Sequence, residues 1–223
     1  MFLHSGSRGV GNRIAQRHIA VAQEQCARWY VELPHRDLAY LVEGTQEFSD
    51  YVRDLRWAQR YALLNREEMV DRVMGCLRRW ADRDVGEDER ISCHHNYTER
   101  ETHAGREVWV SRKGAIEARL GTPGLIPGSM GTASYVVVGK GEPASLFSAP
   151  HGAGRAFSRT KARSTFSVDQ LRTAMAGIEF RDTEAFVDEI PAAYKDIDQV
   201  MADAADLVEV RHTLRQVVNV KGD

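Results

Sequence analysis

Apolar residues recur at helical spacing in the first third of this chain and at strand spacing in the remainder. Ile14, His18, Ile19, Val21 and Ala22 mark one face of a helix over 12–27. From Trp29 to Gly44 the pattern breaks around Pro34, and an irregular connection is expected. Phe48, Tyr51, Val52, Leu55, Ala58 and Ala62 form a second stripe over 45–64. Asn65, with Glu68 three residues on, reads as a fresh N-cap. A third helix then faces Met69, Val70, Val73, Met74, Leu77 and Trp80 inward, antiparallel to the second. Residues 107–112 alternate as a strand, and 135–138 form an apolar one. Ser167 reads as the cap of a short helix reaching Ala176, 194–205 as another helix, and 207–220 as one or two strands. Helical and strand-like patterns are both present along the chain. No repeat or linker divides it, so 1–223 is taken as one domain.

Composition narrows the class. The 223 residues are 43% hydrophobic and 28% charged, which supports a packed core rather than disorder. The net charge of −2 gives no overall basic excess, so any RNA or nucleotide contact must rely on local arginines. Cys26, Cys76 and Cys93 are an odd set at unrelated spacings, which fits a reducing, cytoplasmic setting and excludes a disulfide framework. There is no apolar run of about 18 residues to span a membrane, and no signal peptide is visible.

The candidate chemistry lies in glycine-rich turns. In Pro150-His151-Gly152-Ala153-Gly154-Arg155, proline fixes the entry and the glycines let backbone N–H groups approach an anion. Arg155 and Arg159 offer planar donor forks to phosphate. His4-Ser5-Gly6-Ser7-Arg8-Gly9 reads as strand end, glycine turn and helix start, a plausible anion nest with His4 placed for a metal or phosphate. Met1-Phe2-Leu3 look like the last part of a strand whose beginning is missing. Of the adjacent His94 and His95, an extended backbone lets only one face a site; Cys93 would share the facing of His95. Pro127-Gly128-Ser129-Met130-Gly131-Thr132-Ala133-Ser134 is a second backbone-exposing, hydroxyl-rich turn, or a tight β-turn between strands. The order Arg-His-Gly of histidine phosphatases is absent around His151.

Four motifs therefore stand in one order: His4 to Gly9, His95-Asn96, Pro127 to Ser134, and His151 to Arg155, closed by Lys221-Gly222. This set resembles the RtcB family of GTP-dependent RNA ligases, over essentially the whole chain and including Arg112-Lys113-Gly114-Ala115. It corresponds to the C-terminal portion of that family's domain, and implies an α+β fold with a β-sheet core and packed helices, with the N-terminal part of the family domain missing. The resemblance implies a ligase that joins RNA 3′-phosphate or 2′,3′-cyclic phosphate ends to 5′-hydroxyl ends, using GTP and Mn²⁺, through a guanylylated histidine. His151 matches the nucleophile, a role that splits one hard transfer into two easier ones. His4 and His95 match manganese ligands. His95, Asn96, Pro127, Gly128, Ser129, Met130, Ser134, His151, Gly152, Ala153, Gly154 and Lys221 match guanylate-binding positions. Arg8, Arg155 and Arg159 match arginines near RNA phosphates. The family's upstream Asp-x-x-Cys and Gly-x-Gly-Asn-His segments have no counterpart in this chain. Two histidines make an incomplete manganese site, so weak or absent ligation is expected of this polypeptide alone. The alternatives are a non-catalytic nucleotide- or RNA-binding remnant, and one half of a split ligase whose partner is a separate N-terminal half supplying the missing ligands.

Overall fold

The computed structural model describes residues 1–222. The fold is mixed α+β and resolves into two compact units, Met1–Arg90 and the remainder from Ile91.

The first unit is helical. Helix α1 spans Val10–Arg28 and α2 spans Gln46–Ala81. Between them lies an irregular connection with a single 3-10 turn at Arg36–Leu38. α1 buries His18, Ala22, Gln25 and Cys26, and the Nε2–H of His18 donates to Asp54 of α2 at 3.0 Å. That bond is the first reason the Asp54 carboxyl sits below the usual aspartate range. Thr45 caps α2, its hydroxyl accepting from the Phe48 N–H at 3.2 Å, while Arg78 and Arg79 face the negative end of the helix dipole.

Two expectations fail here. The pair of antiparallel helices over 45–80 is one continuous helix of 36 residues. Asn65 caps nothing; its side-chain amide instead donates to the Gly6 carbonyl at 3.2 Å and lies 3.4 Å from the Ser5 hydroxyl. The partly buried positions 55, 58, 62, 66, 70 and 74 follow one another without interruption, so no break in packing asks the chain to turn at Asn65. Residues 1–7 also form no strand, since a strand needs a partner to satisfy its ladder and none is present in this unit.

The second unit carries the sheets. Strands β1 (Asn96–His103) and β2 (Arg106–Lys113) form an antiparallel hairpin, registered from Asn96 opposite Lys113 to His103 opposite Arg106. Its two turn residues, Ala104 and Gly105, both have positive φ (48° and 74°), the primed turn that matches strand twist. β3 (Ala115–Glu117) pairs antiparallel with β6 (Ser148–Pro150). β4 (Pro123–Pro127), β5 (Ser134–Gly139) and β8 (Val208–Leu214) form a three-stranded antiparallel sheet with β5 in the centre. Ile116, Ile126, Val137, Ala149, Ile197 and Val208 pack into its core, the second of these completely buried.

A second cluster gathers Met130, Leu171, Met175, Phe186 and Ile190 under α3 (Arg159–Thr165) and α4 (Val168–Ala174). α4 starts as expected, on a reciprocal capping box between Ser167 and Gln170. β7 (Glu179–Phe180) pairs in parallel with β9 (Val218–Asn219). The helix expected over 194–205 is shorter: α5 spans Ile197–Asp203, because Tyr194 is extended and bridges to Arg155. The apolar tail from 207 becomes two strands, β8 and β9. Among the described residues no helix is long and apolar enough to cross a membrane.

Candidate functional site

His151 follows directly on β6, whose last residue, Pro150, is opposite Ala115 of β3. His95 immediately precedes β1. Gly114, between β2 and β3, joins the two: its N–H donates to the His95 carbonyl at 2.8 Å, and its carbonyl accepts from the His151 N–H at 3.3 Å. The imidazoles of His95 and His151 consequently stack, with centroids 5.0 Å apart and planes 17° from parallel. Gly114 has φ +74°, and a Cβ there would sit 3.4 Å from both Cε1 and Nδ1 of His151. A side chain would be strained by the backbone and pressed on the ring.

The next residues lean on the Pro127 turn. The Ala153 N–H donates to the Pro127 carbonyl at 3.0 Å, and a Cβ on Gly152 would come within 2.9 Å of that oxygen. Gly154 is left-handed, at φ +70°, with open space around its missing Cβ. Among the described residues, the N–H groups of Gly152 and Gly154 have no acceptor. Two unengaged N–H groups, one on each side of Ala153 and close after a histidine, suit an anion such as a nucleotide phosphate.

The turn from Gly128 to Ala133 is a tight connection between β4 and β5. Gly128 N–H donates to Ala133 O at 3.0 Å, Ser129 N–H to the Thr132 hydroxyl at 2.6 Å, and Gln216 caps the Ser129 carbonyl at 2.5 Å. The side chains of Ser129, Met130 and Ser134 are buried, that of Met130 in the second core cluster. Asn96 opens β1 next to His95.

A group that sequence reasoning passed over anchors the expected arginines and lysine. Asp188 and Glu189 are buried in a 3-10 segment, Glu184–Glu189. Glu189 lies 2.6 Å from the Lys221 ammonium, 2.5 Å from Arg159, and accepts from the Tyr194 hydroxyl. Arg159 also reaches Asp188 at 2.8 Å, and Arg155 donates to the Asp188 carbonyl at 2.6 Å while lying 4.9 Å over the Tyr194 ring. Burial pushes Glu189 toward its neutral form, but Lys221 and Tyr194 outweigh it and hold the carboxyl at about 2. Burial, then the hydrogen bond to Glu189, raises the Tyr194 hydroxyl to about 12. The signal was present: two acids inside the apolar run Phe186-Val187-Asp188-Glu189-Ile190 must be buried and therefore paired.

In the first unit, Arg8 (φ 51°) and Gly9 (φ 88°) form the left-handed turn ahead of α1. The expected open nest is closed from within. Val10 N–H donates to Ser7 O at 3.0 Å and Gly11 N–H to the Ser7 hydroxyl at 2.9 Å. His4 lies just before this turn, in the segment that Asn65 tethers to α2.

Manganese fits poorly on this chain alone. Among the described residues, no three His, Cys, Asp or Glu side chains gather to hold an ion. Cys93 packs against the first core, its sulfur 4.0 Å from the Leu125 carbonyl.

The family model described as tRNA-splicing ligase RtcB matches residues 1–222. The chain is 50% identical to the RNA-splicing ligase RtcB of Escherichia coli K12, over 100% of this chain and 56% of that protein. It is 32% identical to the tRNA-splicing ligase RtcB of Pyrobaculum aerophilum (97% of this chain, 50% of the relative). With the RNA-splicing ligase RtcB of Mycobacterium tuberculosis the identity is 34% (90% and 51%). The chain thus spans about half the length of the curated relatives it matches. With the family model matched from the first residue to the last described one, this chain belongs to the RtcB family.

Proposed function

We propose that this chain is the guanylate-accepting part of an RNA ligase that uses GTP to join an RNA 3′-phosphate to an RNA 5′-hydroxyl. The observation that carries the reading is the placement of His151: stacked on His95, held by Gly114, and followed by the unengaged N–H groups of Gly152 and Gly154. In this reading an imidazole nitrogen of His151 attacks the α-phosphorus of GTP and pyrophosphate leaves. The GMP passes to the RNA 3′-phosphate, which displaces the histidine. The 5′-hydroxyl of the second RNA then attacks the activated phosphate, forming the phosphodiester and releasing GMP. A 2′,3′-cyclic phosphate end is opened to the 3′-phosphate first. The glycine N–H groups support the guanylate phosphate. Arg155 and Arg159, fixed by Asp188 and Glu189, border the RNA path, and Lys221 reaches the nucleotide from Glu189. Arg8 serves an RNA phosphate from the first unit. The family names of the relatives support the RNA substrate.

Mn²⁺ enters this reading as an ion for which His4 and His95 supply only some of the ligands. The remainder come from sequence that the relatives have and this chain does not match. The second reading is one half of a split ligase, in which a separate N-terminal half supplies those ligands. The test is incubation with α-labelled GTP and Mn²⁺, with and without the N-terminal half of a relative. We expect a faint acid-labile adduct on the chain alone, a stronger one on mixing, and neither with His151→Ala. An adduct that survives His151→Ala, or no adduct in either mixture, refutes the assignment.

A further inference from the structure

We propose that Arg112, locked by Glu101, is a positioning residue for His151: it sets the path of the strand that delivers the histidine and the stack of His151 on His95. The inference rests on the reading of His151 as guanylate acceptor, and it adds residues that lie outside the glycine turns.

A guanidinium has five N–H donors. All five of Arg112 are used, in a side chain only 1% exposed. Nε donates to the Ser148 hydroxyl at 2.9 Å. One terminal nitrogen donates to the Tyr97 hydroxyl at 3.1 Å and to Glu101 Oε1. The other donates to Glu101 Oε2 at 3.1 Å and to the Leu146 carbonyl at 2.9 Å. Glu101 is itself held by His103 at 2.9 Å and Arg119 at 2.7 Å. Burial of Glu101 works against its charge, yet these donors keep its carboxyl below the usual range.

The acceptors lie on two pieces of chain. Tyr97 and Glu101 belong to β1, whereas Leu146 and Ser148 lead into His151. Leu146 and Phe147 both have φ 53°, two consecutive side-chain-bearing residues in a region such residues rarely adopt. A conformation of that kind persists only when its surroundings over-determine it. Arg112 supplies that constraint at Leu146, and Arg119 covers the Phe147 ring at 4.6 Å. Two residues beyond Arg112, Gly114 bonds to both His95 and His151. The end of β2 and the glycine after it therefore grip the segment Leu146–His151 at both ends, by the Arg112 side chain at the start and by the Gly114 backbone at the finish. Lysine keeps the charge but lacks the planar fork, so it cannot serve Glu101, Ser148 and Leu146 together.

The test uses this chain with isotope-labelled histidine. Ring resonances of His95 and His151 are followed by NMR, with His212 of β8 as an internal control. In Arg112→Lys and in Glu101→Gln we expect the His95 and His151 signals to shift and broaden, with His212 unmoved. The double variant is expected to add little to either single one. In parallel, formation of the labelled GTP adduct is expected to fall more than tenfold at saturating GTP, with less than a twofold change in half-saturating GTP. His151 signals in Arg112→Lys that match the parent overturn the proposal, as does an equal disturbance at His212, which marks general loosening. Should Arg112→Lys fail to fold by circular dichroism, Ser148→Ala removes one acceptor and must still move His151; an unmoved ring overturns the proposal equally. Absence of adduct on the parent chain, both alone and mixed with the N-terminal half of a relative, counts against the ligase reading, while the NMR comparison still decides this one.

Discussion

Removing the charge of Glu189 provides a quantitative check on the second unit. Its side chain is 8% exposed and its carboxyl is held at about 2 against an ordinary 4.5. At about 1.4 kcal/mol per tenfold, that difference makes the charged form about 3 kcal/mol more favourable in the folded chain than in the unfolded one. The folded value is depressed, so this contribution is complete above pH 4.5 and is lost as pH falls toward 2. Glu189→Gln keeps the shape and leaves Tyr194 an acceptor. Arg159 and Lys221 are 64% and 31% exposed, so water takes over their lost partner and no buried cation is stranded. The variant should be about 3 kcal/mol less stable at pH 7, and the gap should narrow to about 1.4 kcal/mol at pH 3. Hydrogen exchange of the peptide over 186–194, measured across a urea series at each pH, reads this local stability. A variant as stable as the parent at pH 7, or a gap equally wide at pH 3, would refute the argument. The second outcome would assign the loss to packing rather than charge.

Three further perturbations test the frame. A Cβ on Gly139 would lie 2.3 Å from the backbone at Ala118 and Arg119, so Gly139→Ala should yield little folded protein, judged by soluble yield and circular dichroism. Ser167→Ala removes the capping box of α4 and should cost about 1 kcal/mol, seen as faster exchange throughout that helix, the buried Leu171 included. His18→Ala deletes the bond to Asp54 and a ring packed edge-on to Tyr51, at a cost of about 2–3 kcal/mol in exchange protection of α1; an unchanged α1 would contradict the pairing.

The frame was legible where one principle dominated. The period of α1, the cap at Ser167 and the strands around Val108 and Val137 follow from pattern alone. α2 misled because Asn65 and Glu68 copy a cap, and local capping chemistry was weighed above the unbroken phase of the partly buried positions on either side. β1 was hidden by its composition. Asn96 to His103 has almost no apolar residue, since its inward positions Glu101 and His103 are satisfied by ion pairing instead of by the core. The better signal was the Ala104-Gly105 turn beside a clear β2. The meeting of His95 with His151 depends on Gly114 lying between two strand pairings, a long-range arrangement that no local period encodes; the family resemblance named both residues as candidates, and the structure supplied their stack. Asp188 and Glu189 were overlooked because charged pairs on a surface are common, and only their apolar flanks mark them as buried.

The unbroken α2 restricts how this region can change in length over time. At about 1.5 Å per residue its 36 residues make a rod about 54 Å long. One residue inserted near Ala58 would turn everything beyond it by about 100°, exposing Met74 and carrying arginines inward. Three or four residues would nearly restore the phase, and seven would do so more closely. Descendants of this sequence should therefore gain or lose residues in α2 only in such steps, while the connection between α1 and α2 is free to vary one residue at a time.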